Sequence, residues 1–372
     1  MLYWMSSFLS GLWGPFRLLG SHLILLAVGT LLAGLVVYRF LPLTWDRLPL
    51  DKGKKLVKDG QRSAGKPTGA GLAIGLLILP VILLVAPLDA WGYGVLLCLY
   101  LCMAFGYLDD ASTTPWGELR KGTIDLLVAL AAAFCLSKGH DVTIWLPVYK
   151  NAIIVPLAIY LPLATAVLWF TTNATNCSDG VDGLAGTLTL FALFAMGALL
   201  YGVIGYRPMA DYLLIPHHPD GARWAILTST VAGGLAGYLW YNAEPSRVLM
   251  GDAGSRMLGL LVGVAALAAG NPFLVIVVSP VVLVNGGTGL LKLILLRLLN
   301  KIGFDTTPPH TATPEQAADQ HVLVKMLHSV RFPLHDHCRR NLHWSNAQVL
   351  MRFVLLQSFL TPLLFVLLVK IR

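Results

Sequence analysis

Apolar runs long enough to cross a bilayer recur along the whole chain, separated by short polar intervals, and they predict a helical membrane protein. Ten such runs stand near residues 20–38, 71–88, 93–107, 122–137, 151–171, 184–205, 224–241, 257–270, 273–297 and 349–369. Their length favours helices, because a barrel shows shorter segments of alternating polarity. Gly270-Asn271-Pro272 divides the eighth run from the ninth as a turn. The fold expected is an all-α integral membrane protein of about ten transmembrane helices, a single polytopic domain over 1–372.

Composition agrees. The 372 residues are 56% hydrophobic and 12% charged, about half the charge of an ordinary soluble domain. The first run follows Arg17 without a small-residue cleavage site and reads as a retained span. The cysteines (Cys98, Cys102, Cys135, Cys177, Cys338) are scattered and form neither a disulfide framework nor a metal-ligand pair. The net charge of +8 suits anionic headgroups or phosphorylated substrates and does not call for nucleic acid.

Lys and Arg orient the chain. Arg39, Arg47, Lys52, Lys54, Lys55, Lys58, Arg62 and Lys66 crowd the interval at about 39–70. Placing that interval in the cytoplasm puts both termini outside. The cytoplasmic loops then lie at about 39–70, 108–121, 172–183, 242–256 and 298–348. Every acid-rich or Gly-rich stretch falls on the same face: KPTGAG (66–71), LDDAS (108–112), NATNCSDGVDGLAG (173–186), LMGDAGS (249–255) and PLHDH (333–337). Such convergence is what an active site assembled from loops requires. In the longest loop, Thr313-Pro314 followed by helical apolar spacing to Met326 predicts a short helix along the membrane face.

Polar groups beside hydrocarbon are costly and point to a task. Asn173, Asn176, Asp179 and Asp182 recur at every third position with Gly180, Gly183 and Gly186 among them, which predicts one wall of a phosphate and nucleotide site. Asp109-Asp110 suits three jobs: holding a divalent cation, positioning a nucleophile, or ending a helix in water. Asp252 sits between Gly251 and Gly254 at the start of an apolar run. It is the expected metal ligand, since Mg²⁺ takes one or two protein carboxylates and completes its shell with phosphate and water; a helix N-cap is the compatible plainer role. Lys66 beside Gly69 and Gly71 lacks P-loop spacing. His335, Asp336 and His337 lack the further ligands of a zinc site, whereas Arg339 and Arg340 suit phosphate.

Together these motifs resemble the polyprenyl-phosphate N-acetylhexosamine-1-phosphate transferases, over nearly the whole chain. The family's paired-Asp motif corresponds to Asp109 and Asp110. Its N-x-x-N-x-x-D-G-x-D-G-L signature is matched in full from Asn173 to Leu184, and its M-G-D-x-G-S element from Met250 to Ser255. Its triple-His motif corresponds to His335, Asp336 and His337. Three positions depart from the pattern: Thr113 stands where a Lys is usual, Asp336 replaces the middle His, and Leu249 stands where an aromatic residue is usual. Lys121 or Lys66 would cover the first.

The resemblance implies a Mg²⁺-dependent, homodimeric enzyme of the plasma membrane with its site on the cytoplasmic face. Its substrates would be UDP-MurNAc-pentapeptide and undecaprenyl phosphate, and its products lipid I and UMP. A sister activity on UDP-GlcNAc is the alternative. A transporter is a more distant one, since the acids gather at one face and no repeat is evident. The implied catalytic residues are Asp109, Asp110, Asp252 and His335. Those implied for substrate are Lys66, Lys121, Asn173, Asn176, Asp179, Gly180, Asp182, Asn242, Leu249, Asp336 and His337.

Overall fold

The computed structural model describes residues 1–53, 63–114, 116–147, 149, 151–307 and 320–370. Each of the ten expected runs contains helix. In chain order they begin with a short N-terminal helix α1 (Leu2–Leu12), then α2 (His22–Phe40), α3 (Ala70–Val85), α4 (Ala90–Ala111) and α5 (Glu118–Ser137). After a two-stranded ribbon come α6 (Leu157–Ser178), α7 (Leu184–Leu199), the short α8 (Arg207–Tyr212), α9 (Gly221–Asn242) and α10 (Gly251–Ala268). The broken ninth element is α11 (Leu274–Val278), α12 (Pro280–Val282) and α13 (Thr288–Lys301). Two short helices, α14 (Val322–Ser329) and α15 (Leu334–Arg340), precede α16 (Asn346–Lys370). Among the described residues seven segments are long and apolar enough to cross a membrane, against the ten spans expected.

Helix α10 is the axis of the bundle. In its apolar window 83% of residues are buried, against 17% for α16, so α10 is enclosed by the rest of the fold and α16 lies at its periphery. It packs against α3, α4, α6 and α7. Helices α2 and α9 approach through small residues: Gly34 lies against the Gly233 carbonyl, and Thr30 Oγ1 donates to the Ser229 carbonyl at 3.2 Å. Such close backbone approach is how helices associate where lipid removes the hydrophobic drive.

Two expectations change. The fold is not purely α, because Val142–Ile144 pairs antiparallel with Ile153–Val155. The run expected as a span over 151–171 therefore begins as a strand, and its β-branched Ile153-Ile154-Val155 suits that geometry. The ninth run is not one helix: Pro280 lacks an N–H to continue α11, and Leu283–Gly287 forms a π-turn against α6. In the long loop the described helix starts at Val322; the expected start at Thr313 lies outside the described residues.

Candidate active site

The acid pair ends α4, and its two members do different work. Asp110 Oδ1 accepts the backbone N–H of Asp252, and Oδ2 that of Ala253, each at 3.1 Å. These are two of the orphan donors at the start of α10. Asp252 is therefore not the cap of its own helix: it lies in the first turn, and Asp110, 142 positions away, does the capping. Gly251 makes this possible. Its φ is +72°, and a Cβ there would stand 2.4 Å from Asp110 Oδ2.

Asp109 turns the other way. It is buried, and one of its oxygens accepts the Trp116 amide at 2.8 Å. The other pairs with Lys121 Nζ, which also reaches Asp252 Oδ2 at 3.1 Å. Asn176 Nδ2 donates to Asp252 Oδ1 and to Ser255 Oγ, each at 3.1 Å. Helices α4, α5, α6 and α10 thus each place one polar side chain at a common point. The side chain of Asp252 is 24% exposed and that of Asp109 only 6%, so Asp252 is the more open of the two.

A second polar group beside this cluster is built from loops. KPTGAG lies between two backbone segments: Lys66 O accepts from Asp51 N at 2.8 Å, and Pro67 O accepts from Leu249 N at 2.8 Å. Leu249 accordingly contributes backbone, which also accepts the Ala70 amide at 3.1 Å. Lys66 Nζ meets Asp182 at 3.5 Å and Ser246 Oγ at 2.9 Å, and the Ser246 amide donates to Asp182 at 3.0 Å. Asn242 Oδ1 accepts the Gly183 amide at 2.9 Å while its Nδ2 donates to the Val248 carbonyl at 2.9 Å. Lys66, Asp182 and Asn242 are therefore gathered as expected, and Ser246 joins them unannounced by any motif.

The NATNCSDG stretch divides at its helix end. Asn173 and Asn176 are on α6, and Asp179 is its C-cap. Asn173 Nδ2 donates back to the Trp169 carbonyl at 2.9 Å, within its own helix. His335 is 3% exposed and stands with Nε2 toward Gly180, where a Cβ would lie only 2.3 Å away. Its amide donates to Asn285 Oδ1 at 2.8 Å, and its Nδ1 lies 3.1 Å from the same oxygen. An acceptor shared in this way calls for the tautomer with the proton on Nδ1.

The rest of that triad points elsewhere. Asp336 accepts from Arg340 Nε at 2.9 Å, and the Arg331 amide donates to His337 Nδ1 at 3.3 Å. Arg340 is thus engaged within α15, and Arg339 is buried at 4% exposure instead of presenting a surface phosphate contact. Where this chain has Thr113 in place of the pattern's Lys, Lys52 Nζ reaches the Ser112 and Thr113 carbonyls at 2.6 and 2.9 Å, and Lys121 occupies the acid cluster. Sequence reasoning missed Ser246, Asn285, Asp125 and Arg256. The last two gave one usable signal, a charge inside an apolar run.

Oxygen donors at Asp252 and Asp109 fit a hard divalent cation. Among the described residues no group of three or more His, Cys, Asp or Glu side chains is placed to hold a metal.

Comparison with known proteins agrees with this layout. Residues 93–270 match the family described as Glycosyl transferase family 4. The phospho-N-acetylmuramoyl-pentapeptide-transferase of Treponema pallidum, in the Nichols strain and in a second strain alike, is 44% identical over 370 residues, covering 98% of this chain and 95% of the relative. The enzyme of the same name from Ruegeria pomeroyi is 30% identical over 332 residues, covering 83% of this chain and 90% of the relative. Near-complete coverage at these identities, with the acids gathered at the start of α10, places this chain in the phospho-N-acetylmuramoyl-pentapeptide-transferase family.

Proposed function

We propose that this protein transfers phospho-MurNAc-pentapeptide from UDP-MurNAc-pentapeptide to undecaprenyl phosphate, releasing UMP and forming lipid I for peptidoglycan synthesis. The observation that carries the reading is Lys121 Nζ held between Asp109 and Asp252, with Asn176 on the far side of Asp252. Phosphoryl transfer asks mainly for placement and charge neutralisation, and this cluster offers both. The site lies on the cytoplasmic face of a ten-span homodimer with both termini outside, as the Lys and Arg distribution supports.

Asp252, with Asp109 beside it, would hold Mg²⁺. When bound, the ion supplies neutralisation of the diphosphate charge. Lys66, Asp182, Ser246 and Asn242 hold the nucleotide end, and Asp179 and Gly180 line the turn between the two regions. Lys121 places positive charge beside the transferring phosphate. His335, anchored by Asn285, presents Nε2 at the Gly180 turn. Asp110 keeps the amides of α10 in place while the lipid phosphate enters from the membrane side. A strong general base is not needed, because a phosphate monoester with a second pKa of about 6 is largely dianionic at neutral pH.

The test is UMP release from UDP-MurNAc-pentapeptide by purified protein with undecaprenyl phosphate, with and without Mg²⁺, run in parallel with UDP-GlcNAc. Mg²⁺-dependent UMP release with lipid I formed from the pentapeptide donor is expected. Preference for UDP-GlcNAc, or activity unaffected by chelation, would overturn the assignment.

A further inference from the structure

Two helices meet beneath the acids in a pattern of crossed charges. On α5, Lys121 is followed four residues later by Asp125; on α10, Asp252 is followed four residues later by Arg256. That spacing stacks each pair on one helix face. The upper rung is Lys121 to Asp252 at 3.1 Å. The lower rung is Arg256 to Asp125, both side chains only 2% exposed. Arg256 Nη2 also donates to the Lys121 carbonyl at 3.3 Å, so the lower rung grips the backbone of the residue that forms the upper one.

Stability alone does not account for this pair. Buried charges pay a desolvation cost, and an apolar pair of similar volume is often as stable or more so. Here the cost is raised further: Arg256 Nη1 is buried with no hydrogen-bond partner among the described residues. What the charges add is discrimination between registers. If α5 slid along α10 by one turn, about 5.4 Å, Asp125 would face Asp252, or Lys121 would face Arg256. Either arrangement sets like charges together in a medium of low dielectric, where repulsion is strong. Only the observed register pairs opposite signs on both rungs.

We propose that Asp125 and Arg256 are positioning residues which lock the register of α5 against α10 and thereby hold Lys121 between Asp109 and Asp252. This inference rests on the phosphoryl-transfer reading of the site. Neither residue touches the reacting groups; they act through Lys121 and Asp252.

The test replaces both members together, Asp125→Leu with Arg256→Met, and follows thermal unfolding in detergent beside kcat and KM for UDP-MurNAc-pentapeptide. The expected result is a melting temperature equal to or above wild type, KM little changed, and kcat lower by about 100-fold, the scale of a 1 Å misplacement. Arg256→Lys keeps the sign pattern and is expected to retain most of kcat. Should the apolar pair fail to fold, the exchanged pair Asp125→Arg with Arg256→Asp decides. It preserves opposite charges on the lower rung but pairs opposite charges after a one-turn slip as well, so kcat should fall while the fold survives. Wild-type kcat in either double variant, or losses of kcat and stability in proportion, would overturn the proposal. An inactive wild type would instead sink the functional reading on which it stands.

Discussion

Asp110 caps the helix that carries Asp252: its carboxylate accepts the Asp252 amide at 3.1 Å and the Ala253 amide at the same distance. The acid adjacent to Asp109 in sequence therefore serves the backbone of α10, while Asp109 and Asp252 share Lys121. This division separates the acids by experiment. Asp252→Asn should abolish Mn²⁺ binding followed by electron paramagnetic resonance, and turnover with it, in a protein that still folds. Asp110→Asn keeps an acceptor oxygen for one amide. It should retain Mn²⁺ binding and lose about 1 kcal/mol of stability, the usual scale for a weakened cap. Loss of Mn²⁺ binding in Asp110→Asn at full stability would make Asp110 a ligand instead.

That division was only half legible in the sequence. The glycines and acids of NATNCSDGVDGLAG and LMGDAGS announce themselves because polar groups beside long apolar runs break a local pattern. Which acid caps α10 and which joins Lys121 does not show, because the capping contact joins residues 142 apart. Asp125 with Arg256, 131 residues apart, and Asn285 with His335, 50 apart, were hidden for the same reason. Asp125 and Asn285 sit among apolar neighbours, Arg256 and His335 beside other polar residues, and in each case only the packing supplies the partner. The break in the ninth run was signalled locally by Pro280 and by Asn285-Gly286-Gly287, but the apolar content of 273–297 outweighed those breakers in a reading by length.

Lys66 bridges Asp182 and Ser246, the group proposed to hold the nucleotide. Its side chain is 23% exposed and its partners are Asp182 and Ser246, not Asp109 or Asp252, so its loss should weaken donor binding more than the chemical step. Removing a charged hydrogen bond of about 1.5 kcal/mol raises KM roughly tenfold. Lys66→Ala should therefore show about that rise in KM for UDP-MurNAc-pentapeptide with kcat nearly unchanged. Steady-state kinetics at saturating lipid acceptor measure both, and an equal fall in kcat would place Lys66 at the transferring phosphate.

At the opposite end of α4, Asp89 accepts the Gly92 amide at 2.8 Å and pairs with Lys138 at 3.0 Å; Lys138 also reaches Asp220 at 3.2 Å. Partial burial pushes the Asp89 carboxyl up, but the Gly92 amide and Lys138 outweigh it and hold the group below its ordinary value. A carboxylate depressed in the folded state stabilises above its unfolded pKa and loses that contribution as pH falls through the folded one. Melting temperature should thus drop on acidification more in wild type than in Asp89→Asn, which keeps the cap oxygen without the charge. Asp89 is 37% exposed, so solvent screening keeps the difference below about 1 kcal/mol. Thermal melts at neutral and acid pH compare the two, and identical slopes would show that the charge contributes nothing.

Asp336 stands where the family pattern has a histidine, yet its contact is local. Its Oδ1 accepts from Arg340 Nε at 2.9 Å, one turn along α15. Helical pairs of this kind are worth about 0.3–0.5 kcal/mol, and an acid in the first turn gains a similar amount from the helix dipole. His335 differs: it is 3% exposed, tied twice to Asn285 and packed against the Gly180 turn. Asp336→His should therefore cost less than about 1 kcal/mol of stability and leave turnover close to wild type. His335→Ala should depress turnover strongly, because it removes the imidazole from the wall of the site and leaves the buried Asn285 oxygen with one hydrogen bond fewer. Turnover and melting temperature measured on the two variants together decide the matter: a dead Asp336→His enzyme of normal stability would mean that Asp336 itself contacts substrate.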